Sequence, residues 1–122
     1  MIEYAEFKNM CESLTQGNKK TPDDNAFIPI INLAMYEIAS RTTPLVLISK
    51  DVQDEPLRYI DDVYFVKKPK KIYSNTETII LDSGLIGALA YECCSYFASS
   101  EYIGYYNKKR DEIINNFNWN KK

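Results

Sequence analysis

The features of this chain whose residue types could do chemistry are its cysteines, an aspartate pair and a lysine cluster, and histidine is absent. Without histidine the chain has no imidazole for acid–base catalysis, for a Ser-His pair or for a metal site. The cysteines are Cys11, Cys93 and Cys94. An odd number with two adjacent does not fit a disulfide framework, and neighbours on a helix diverge by about 100°, which suits chelation poorly. We therefore expect buried, reduced cysteines, no metal and no cofactor.

An adjacent acidic pair, Asp61-Asp62, and a glycine-containing stretch, Gly84–Ala88, are the other candidates for catalysis or phosphate binding. Adjacent residues of an extended chain point to opposite faces, so two neighbouring aspartates rarely act together. The glycine stretch lacks the spacing and the lysine of a phosphate loop, and close helix packing explains it better. We therefore expect that the protein is not an enzyme.

A basic cluster broken by a proline contains four lysines: Lys67, Lys68, Lys70 and Lys71. With the flanking rings of Phe65 and Tyr73, it could bind the phosphates and bases of a nucleic acid. A charged loop that protects a strand edge is favoured instead, because the chain has a net charge of −2. A third interpretation is that the lysines contact acidic residues of a neighbouring copy, for which the candidates are Asp51, Asp54, Glu55, Asp61 and Asp62.

Helical periodicity predicts four helices. The most apolar run, Leu81 to Ala98, has two rows of apolar residues four apart, so we expect it to be the central helix, with Asp82 as its cap. Its small residues are expected to let other helices approach closely. The first helix covers about Ile2 to Leu14, and the last runs from Ser100 to about Phe117.

The second helix contains Pro29, which leaves the position of its start open. Thr21 and Pro22 are typical of a helix start, with Thr21 as the cap and Pro22 in the first turn. Apolar residues then recur at helical spacing from Phe27 to Ala39. Pro29 lacks an amide donor, so it either kinks this helix or marks its beginning.

Residues 45 to 73 have a different character, with short apolar runs separated by acidic and basic loops. We interpret them as an extended or β-hairpin-like insertion between helices 2 and 3. The predicted fold is mainly α, a small four-helix bundle that forms a single domain over residues 1–122. Residues 118–122, with Trp119, are expected to form a flexible tail. Without a membrane-spanning run or a signal-peptide layout, the chain is expected to be cytoplasmic when synthesised.

Four segments follow one another along the chain: DDNAFIPIINLA, VYFVKKP, ILDSGLIGALAYECCSYF and YIGYYNKKRDEIINNF. Their order resembles that of small phage or prophage head–tail adaptor proteins, also called head-completion or connector proteins. The likeness covers roughly residues 3 to 117, and in the first segment it rests on Asp24, Phe27 or Ile28, Ile31 and Ala34. Pro29 and the density of tyrosines, ten in all, depart from the family's pattern.

The resemblance implies a structural function in virion assembly. Adaptors of this family form an oligomeric ring that docks on the portal protein, extends the DNA channel and presents a surface to a neck or tail protein. It implies that DNA passes without specific binding, that no membrane is involved, and that the assembled protein lies in the virion neck. By analogy, subunit and portal contacts are expected at Arg58, Tyr59, Tyr64, Lys67, Lys68, Lys70, Lys71 and Trp119.

The alternative function is a small helical regulatory or nucleic-acid-binding module that uses the Lys67–Lys71 cluster. It predicts that the chain binds DNA with an affinity that falls as salt is added. The adaptor interpretation instead predicts self-assembly and no such affinity.

Overall fold

The computed structural model describes residues 1–15 and 20–120, apart from the side chains of residues 119 and 120. Most of this part of the chain lies in α-helices: α1 (Tyr4–Thr15), α2 (Asp24–Arg41), α3 (Ser83–Phe97) and α4 (Ser100–Asn120). None of the described helices combines the length and the apolarity that crossing a membrane requires. The prediction of a mainly α fold with a partly β insertion is confirmed.

Short strands form two small sheets in the described chain. β1 (Ile2–Glu3) pairs antiparallel with β5 (Thr78–Ile79), so the start of the chain lies against the segment before α3. The insertion contains a second, antiparallel sheet in the order β2-β4-β3, formed by β2 (Ile48–Ser49), β3 (Pro56–Tyr59) and β4 (Phe65–Lys67). A 3-10 turn at Leu45–Leu47 precedes it. The β1–β5 pair escapes sequence analysis, because two-residue strands leave no periodic pattern.

α3 is the central helix, and it packs against α1, α2 and α4. Both of its apolar rows are buried over most of their length: Leu85, Leu89, Cys93, Ile86, Ala90 and Cys94. A Cβ atom built on Gly87 would lie 3.2 Å from Ile113 Cδ1 of α4. The expectation that small residues of this helix permit a close approach is therefore confirmed at Gly87.

α2 begins at Asp24 with Asp23 as its N-cap, so the predicted cap at Thr21 is wrong. The Asp23 carboxylate accepts a hydrogen bond from the Ala26 amide at 3.1 Å. The Thr21 hydroxyl instead donates to Glu12 Oε1 at 2.7 Å, which ties the start of α2 to α1. Aspartate and threonine are both good caps, so the partner that Thr21 finds on α1 decides between them.

Pro29 lies inside α2 and does not mark its beginning. Proline has no amide hydrogen, so the Asn25 carbonyl, one turn earlier, loses its helical donor. Asn25 and Pro29 are both exposed, and water can satisfy that carbonyl. The proline is thus tolerated on the outer face of the helix.

Asp82 precedes α3 as predicted, but its carboxylate does not cap that helix. It accepts hydrogen bonds from the amides of Leu45, at 2.7 Å, and Val46, at 3.0 Å. These amides belong to the 3-10 turn that begins the insertion. Asp82 therefore connects the start of the insertion to the start of the central helix.

α4 continues to Asn120, beyond the predicted end at Phe117. The Asn118 side-chain amide donates to the Arg41 carbonyl, at the end of α2, at 3.3 Å. Carbonyls at a helix end lack helical partners, so this contact benefits both helices. Of the predicted flexible tail, residues 118–120 are helical, and residues 121 and 122 lie outside the described residues.

Candidate interaction surface

The hairpin of β3 and β4 ends in an exposed turn, residues 59–64, which we call the hairpin tip. Its large apolar side chains are exposed to 65% at Tyr59, 43% at Ile60, 58% at Val63 and 42% at Tyr64. The amides of Ile60 and Asp61 donate to the Tyr64 carbonyl at 2.9 and 3.2 Å, which closes the turn. Apolar side chains concentrated on an exposed turn are typical of a surface that contacts another molecule.

The two aspartates of the hairpin tip have different roles. Asp61 accepts hydrogen bonds from the amides of Tyr64, at 2.7 Å, and Val63, at 2.8 Å, and these bonds lower the pKa of its carboxyl. This arrangement stabilises the turn. Asp62 is exposed and makes no ion pair with the described residues. The ammonium group of Lys50 also lies at the hairpin tip, with its Nζ atom 6.0 Å from the centroid of the Tyr64 ring.

Arg58, a predicted contact residue, is used by the fold itself. Its guanidinium donates to the Thr42 carbonyl and, at 3.0 Å, to Thr43 Oγ1. These bonds attach β3 to the chain that follows α2. Of the predicted contact residues in the hairpin, Tyr59 and Tyr64 are exposed to solvent, while Arg58 is half-buried.

A groove of about 1040 Å³ runs along the outer face of α2, and we call it the α2 groove. One side is formed by apolar residues of α2: Ile28, Pro29, Leu33 and Tyr36. The other side is residues 67–73, the chain that follows β4. Leu33 is 65% exposed and Tyr36 is 47% exposed, so the helix presents an apolar floor to solvent.

Asn32 holds the two sides of the α2 groove together. Its side-chain amide donates to the Ile72 carbonyl and accepts from the Ile72 amide, both at 2.9 Å. Ile72 is buried in the core, so the segment is held by packing as well as by hydrogen bonds. Residues 67–73 therefore form a fixed wall of the groove.

The lysines of the basic cluster fall into two pairs. Lys67 Nζ lies 3.9 Å from Asp54 Oδ2, and Lys68 Nζ lies 2.5 Å from Glu55 Oε1. Asp54 and Glu55, which were candidates for contact across copies, are thus partners within one chain. The other two lysines are exposed and have no ion pair among the described residues: Lys70 and Lys71.

The remaining acidic groups of the groove, Asp24 and Glu77, are also hydrogen-bonded within the fold. Hydrogen bonds from the amides of Tyr73, at 2.6 Å, and Ser74, at 2.8 Å, lower the pKa of Glu77. Asp24 accepts hydrogen bonds from three side chains: Tyr4, Asn75 and Lys8. These bonds lower its pKa to about 2. The nearby charge of Lys70 contributes to the lowered pKa of Glu77, and neither Lys70 nor Lys71 makes an ion pair with the described residues.

A buried ion pair was not anticipated from the sequence. Arg110 Nη1 of α4 lies 2.6 Å from Glu92 Oε1 of α3, and Arg110 Nε lies 2.9 Å from Asp111 Oδ1. Arg41 of α2 contacts the same Asp111 oxygen at 3.0 Å. The position of Arg110 within the apolar stripe of the last helix was the signal that could have revealed it. Neither Glu92 nor Arg110 lines the α2 groove, and the network connects three helices.

The three cysteines are buried and free, as expected. Cys94 Sγ donates to the Cys11 carbonyl at 3.7 Å, and Cys11 Sγ donates to the Ala90 carbonyl at 3.9 Å. Burial raises the pKa of the Cys93 thiol well above its usual value. A buried thiol with a raised pKa is a poor nucleophile, so these residues serve the packing of α1 on α3.

Trp119, the last predicted contact residue, lies on α4, and its side chain is outside the described part of the chain. Among the described residues, no group of three side chains is placed to hold a metal ion. Comparisons with protein-family models, with curated proteins and with solved structures found no match to this chain. The resemblance to head–tail adaptors therefore stays a prediction.

Proposed function

We propose that the chain is a structural protein of virion assembly, a head–tail adaptor that forms an oligomeric ring, docks on a portal protein and receives a neck or tail protein. The observation that carries the assembly part is the exposed apolar surface of the insertion. Besides the side chains of the hairpin tip, the insertion exposes Leu45, Val46 and Val52, the last of which is 91% exposed. The phage setting comes from the family resemblance alone.

Several large apolar side chains exposed on one short segment are uncommon in a protein that works as a monomer. In this chain the segment is also fixed by the helices, through Asp82 at its start and Arg58 in β3. A surface that is already ordered loses little conformational entropy on binding. These two properties suit a protein that makes the same contact in every copy of an assembly.

Nucleic-acid binding through the Lys67–Lys71 cluster is less well supported. Lys67 and Lys68 have acidic partners in the chain, so a phosphate would have to compete with them. Phe65 is 5% exposed and offers no free face for stacking on a base, although Tyr73 is 78% exposed.

Native mass spectrometry at rising protein concentration tests the proposal. We expect closed oligomers of the chain, and we expect the Ile60→Ser/Val63→Ser variant of the hairpin tip to lose them while its circular dichroism is unchanged. Duplex DNA binding, measured at low and high salt, is the second measurement. A chain that stays monomeric at every concentration would contradict the proposal, and salt-dependent binding of DNA by that monomer would favour the nucleic-acid-binding module.

A further inference from the structure

We propose that the hairpin tip of one copy binds in the α2 groove of the next copy. This inference rests on the proposed function, because it names the contact through which the copies assemble. It follows from the position of the two surfaces in the fold, from their chemistry and from charged groups on each that make no ion pair with the described residues.

The hairpin tip and the groove wall lie at opposite ends of β4. The tip ends at residue 64, just before the first residue of β4, and the wall begins at Lys67, the last residue of that strand. An extended strand rises by about 3.3 Å per residue, so β4 holds the two surfaces apart. No residue of the hairpin tip lines the groove. Because the tip is closed by its own hydrogen bonds and the wall is held by Asn32, the groove is left for another molecule.

The apolar parts of the two surfaces are complementary. The hairpin tip presents Ile60 and Val63, and the floor of the groove presents Leu33 and Tyr36. All four side chains are exposed in the single chain, and contact between copies would remove them from water together. The tip is a narrow turn and the groove is an elongated concave surface, which suits insertion of one into the other.

The hairpin tip carries two exposed carboxylates, Asp61 and Asp62, beside one cation, Lys50, whereas two exposed lysines lie at the groove. Asp62 at the hairpin tip has no ion pair among the described residues, and the same holds for Lys70 and Lys71 at the groove. Asp24 and Glu77 stay ionised at the groove, because their pKa values are lowered, and each has a cation nearby: Lys8 beside Asp24 and Lys70 near Glu77. Pairing of Asp62 with Lys70 or Lys71 of another copy would orient the tip in the groove.

The contact uses two different surfaces, so each copy presents one tip and one groove. Such a head-to-tail contact leaves one surface open at each end of a chain of copies, and it closes into a ring when the rotation per copy permits. A symmetric dimer, in which one patch meets itself, is a different arrangement. The two arrangements are distinguished by the pairs of residues that come together.

Cross-linking between two single-cysteine variants tests the contact directly. We expect a short bis-maleimide to join Val63→Cys to Leu33→Cys in a mixture, with much less product from either variant alone. The native cysteines are buried, so the unmodified chain serves as the background control. Glu112→Cys, at an exposed position of α4, is the matched control partner for Val63→Cys. Absence of the Val63–Leu33 product, or equal product with Glu112→Cys, would overturn the inference.

Charge reversal separates this inference from the proposed function. Lys70→Glu/Lys71→Glu and Asp62→Lys are each expected to raise the concentration needed for assembly about tenfold, and a mixture of the two to restore mixed assemblies. Lys108→Glu, on the exposed surface of α4, is the control that leaves assembly unchanged. If the chain assembles and reversal at the groove has no effect, the inference fails while the proposed function stands. If the unmodified chain never assembles, both fail.

Discussion

Glu92 is a buried carboxylate in the middle of the central helix, with 3% of its surface exposed. Its partner Arg110 is also largely buried, and the two side chains are 4% and 15% exposed. Tyr96, one turn further along the same helix, also hydrogen-bonds to Glu92. Burial, together with this hydrogen bond, raises the pKa of the Tyr96 hydroxyl. A buried charge that loses its partner is far more costly than the intact pair, so Glu92 depends on Arg110.

The Arg110→Met variant is expected to lose ~3 kcal/mol or more of unfolding free energy, because it leaves the Glu92 carboxylate buried without its cation. Urea denaturation measures the loss. The double variant Glu92→Leu/Arg110→Met should recover most of it, since no charge is then buried. Arg41→Met is the control. Arg41 is 34% exposed and its partner Asp111 is 43% exposed, so we expect the unfolding free energy to fall by less than about 1 kcal/mol. Equal losses for Arg110→Met and Arg41→Met would contradict the prediction.

The Asp24 carboxylate gives the chain a defined pH dependence. Its hydrogen bonds lower the pKa from 3.8 to about 2 in the folded chain, so the unfolded chain binds a proton more readily. This contribution to stability is present above pH ~4 and is lost as the pH falls through ~2. The difference in urea midpoint between the wild type and Asp24→Asn should therefore narrow over that range. Asp62→Asn, at an exposed site, is the control, and a constant difference for Asp24→Asn would count against this role.

At the scale of elements, the insertion is held by the helices more than by its own sheet. Its strands span two to four residues, and a sheet this short has little stability by itself. Asp82 accepts from the 3-10 turn at its start, and Asn32 bonds to Ile72 near its end. α2 and α3 therefore determine where the hairpin tip and the groove wall lie.

Gly87 permits the close packing of α3 on α4, and the same substitution at two glycines tests this. Gly87→Val would place a branched side chain where a Cβ atom alone would already lie 3.2 Å from Ile113 Cδ1. We expect this overpacking to lower the free energy of unfolding by ~1–3 kcal/mol. Gly104→Val, in α4, meets nothing within 4 Å and should be neutral or slightly stabilising, because valine has the higher helix propensity. Thermal unfolding of the two variants measures the change in stability. A similar change in the unfolding temperature of both would exclude a packing role for Gly87.

At the scale of the whole molecule, one buried cluster joins the helices to the insertion and to the β1–β5 pair. Leu47, Val66, Ile72 and Ile79 enter the same core as the residues of α1, α2, α3 and α4. The insertion thus shares the core of the helices, although its tip projects apolar side chains into solvent.

A continuous core predicts one cooperative unfolding transition. Far-UV circular dichroism, which follows the helices, and tyrosine absorbance, which also follows the hairpin, should give coincident urea curves. The Ile60→Ser/Val63→Ser variant should unfold at the same midpoint as the wild type at low concentration, because both side chains are exposed in the single chain. An earlier tyrosine transition would indicate that the insertion unfolds separately.

The candidate surface was only partly predictable. Its lysines and the tyrosines of the hairpin tip were identified from composition and from the family resemblance, and those contacts remain predictions. The α2 groove was not foreseen. Leu33 and Tyr36 lie off the main apolar row of α2, and nothing in the sequence places Lys70 and Lys71 opposite them. Their proximity results from the hydrogen bonds between Asn32 and Ile72 and from the packing of Ile72 in the core.

The sequence by itself determined which segments are helical, that α3 is central and that residues 45 to 73 differ from the rest, because apolar periodicity reports the buried face of each element. Only the tertiary structure decided the partners of the polar groups. Asp82 accepts hydrogen bonds from residues 36 and 37 positions away in the sequence, and Asn32 donates to a residue 40 positions away. Arg110 and Glu92 are 18 positions apart. A pattern within one element says which face is buried but not which group lies opposite. The partners, and with them the charges left free for another molecule, are set when the elements pack together.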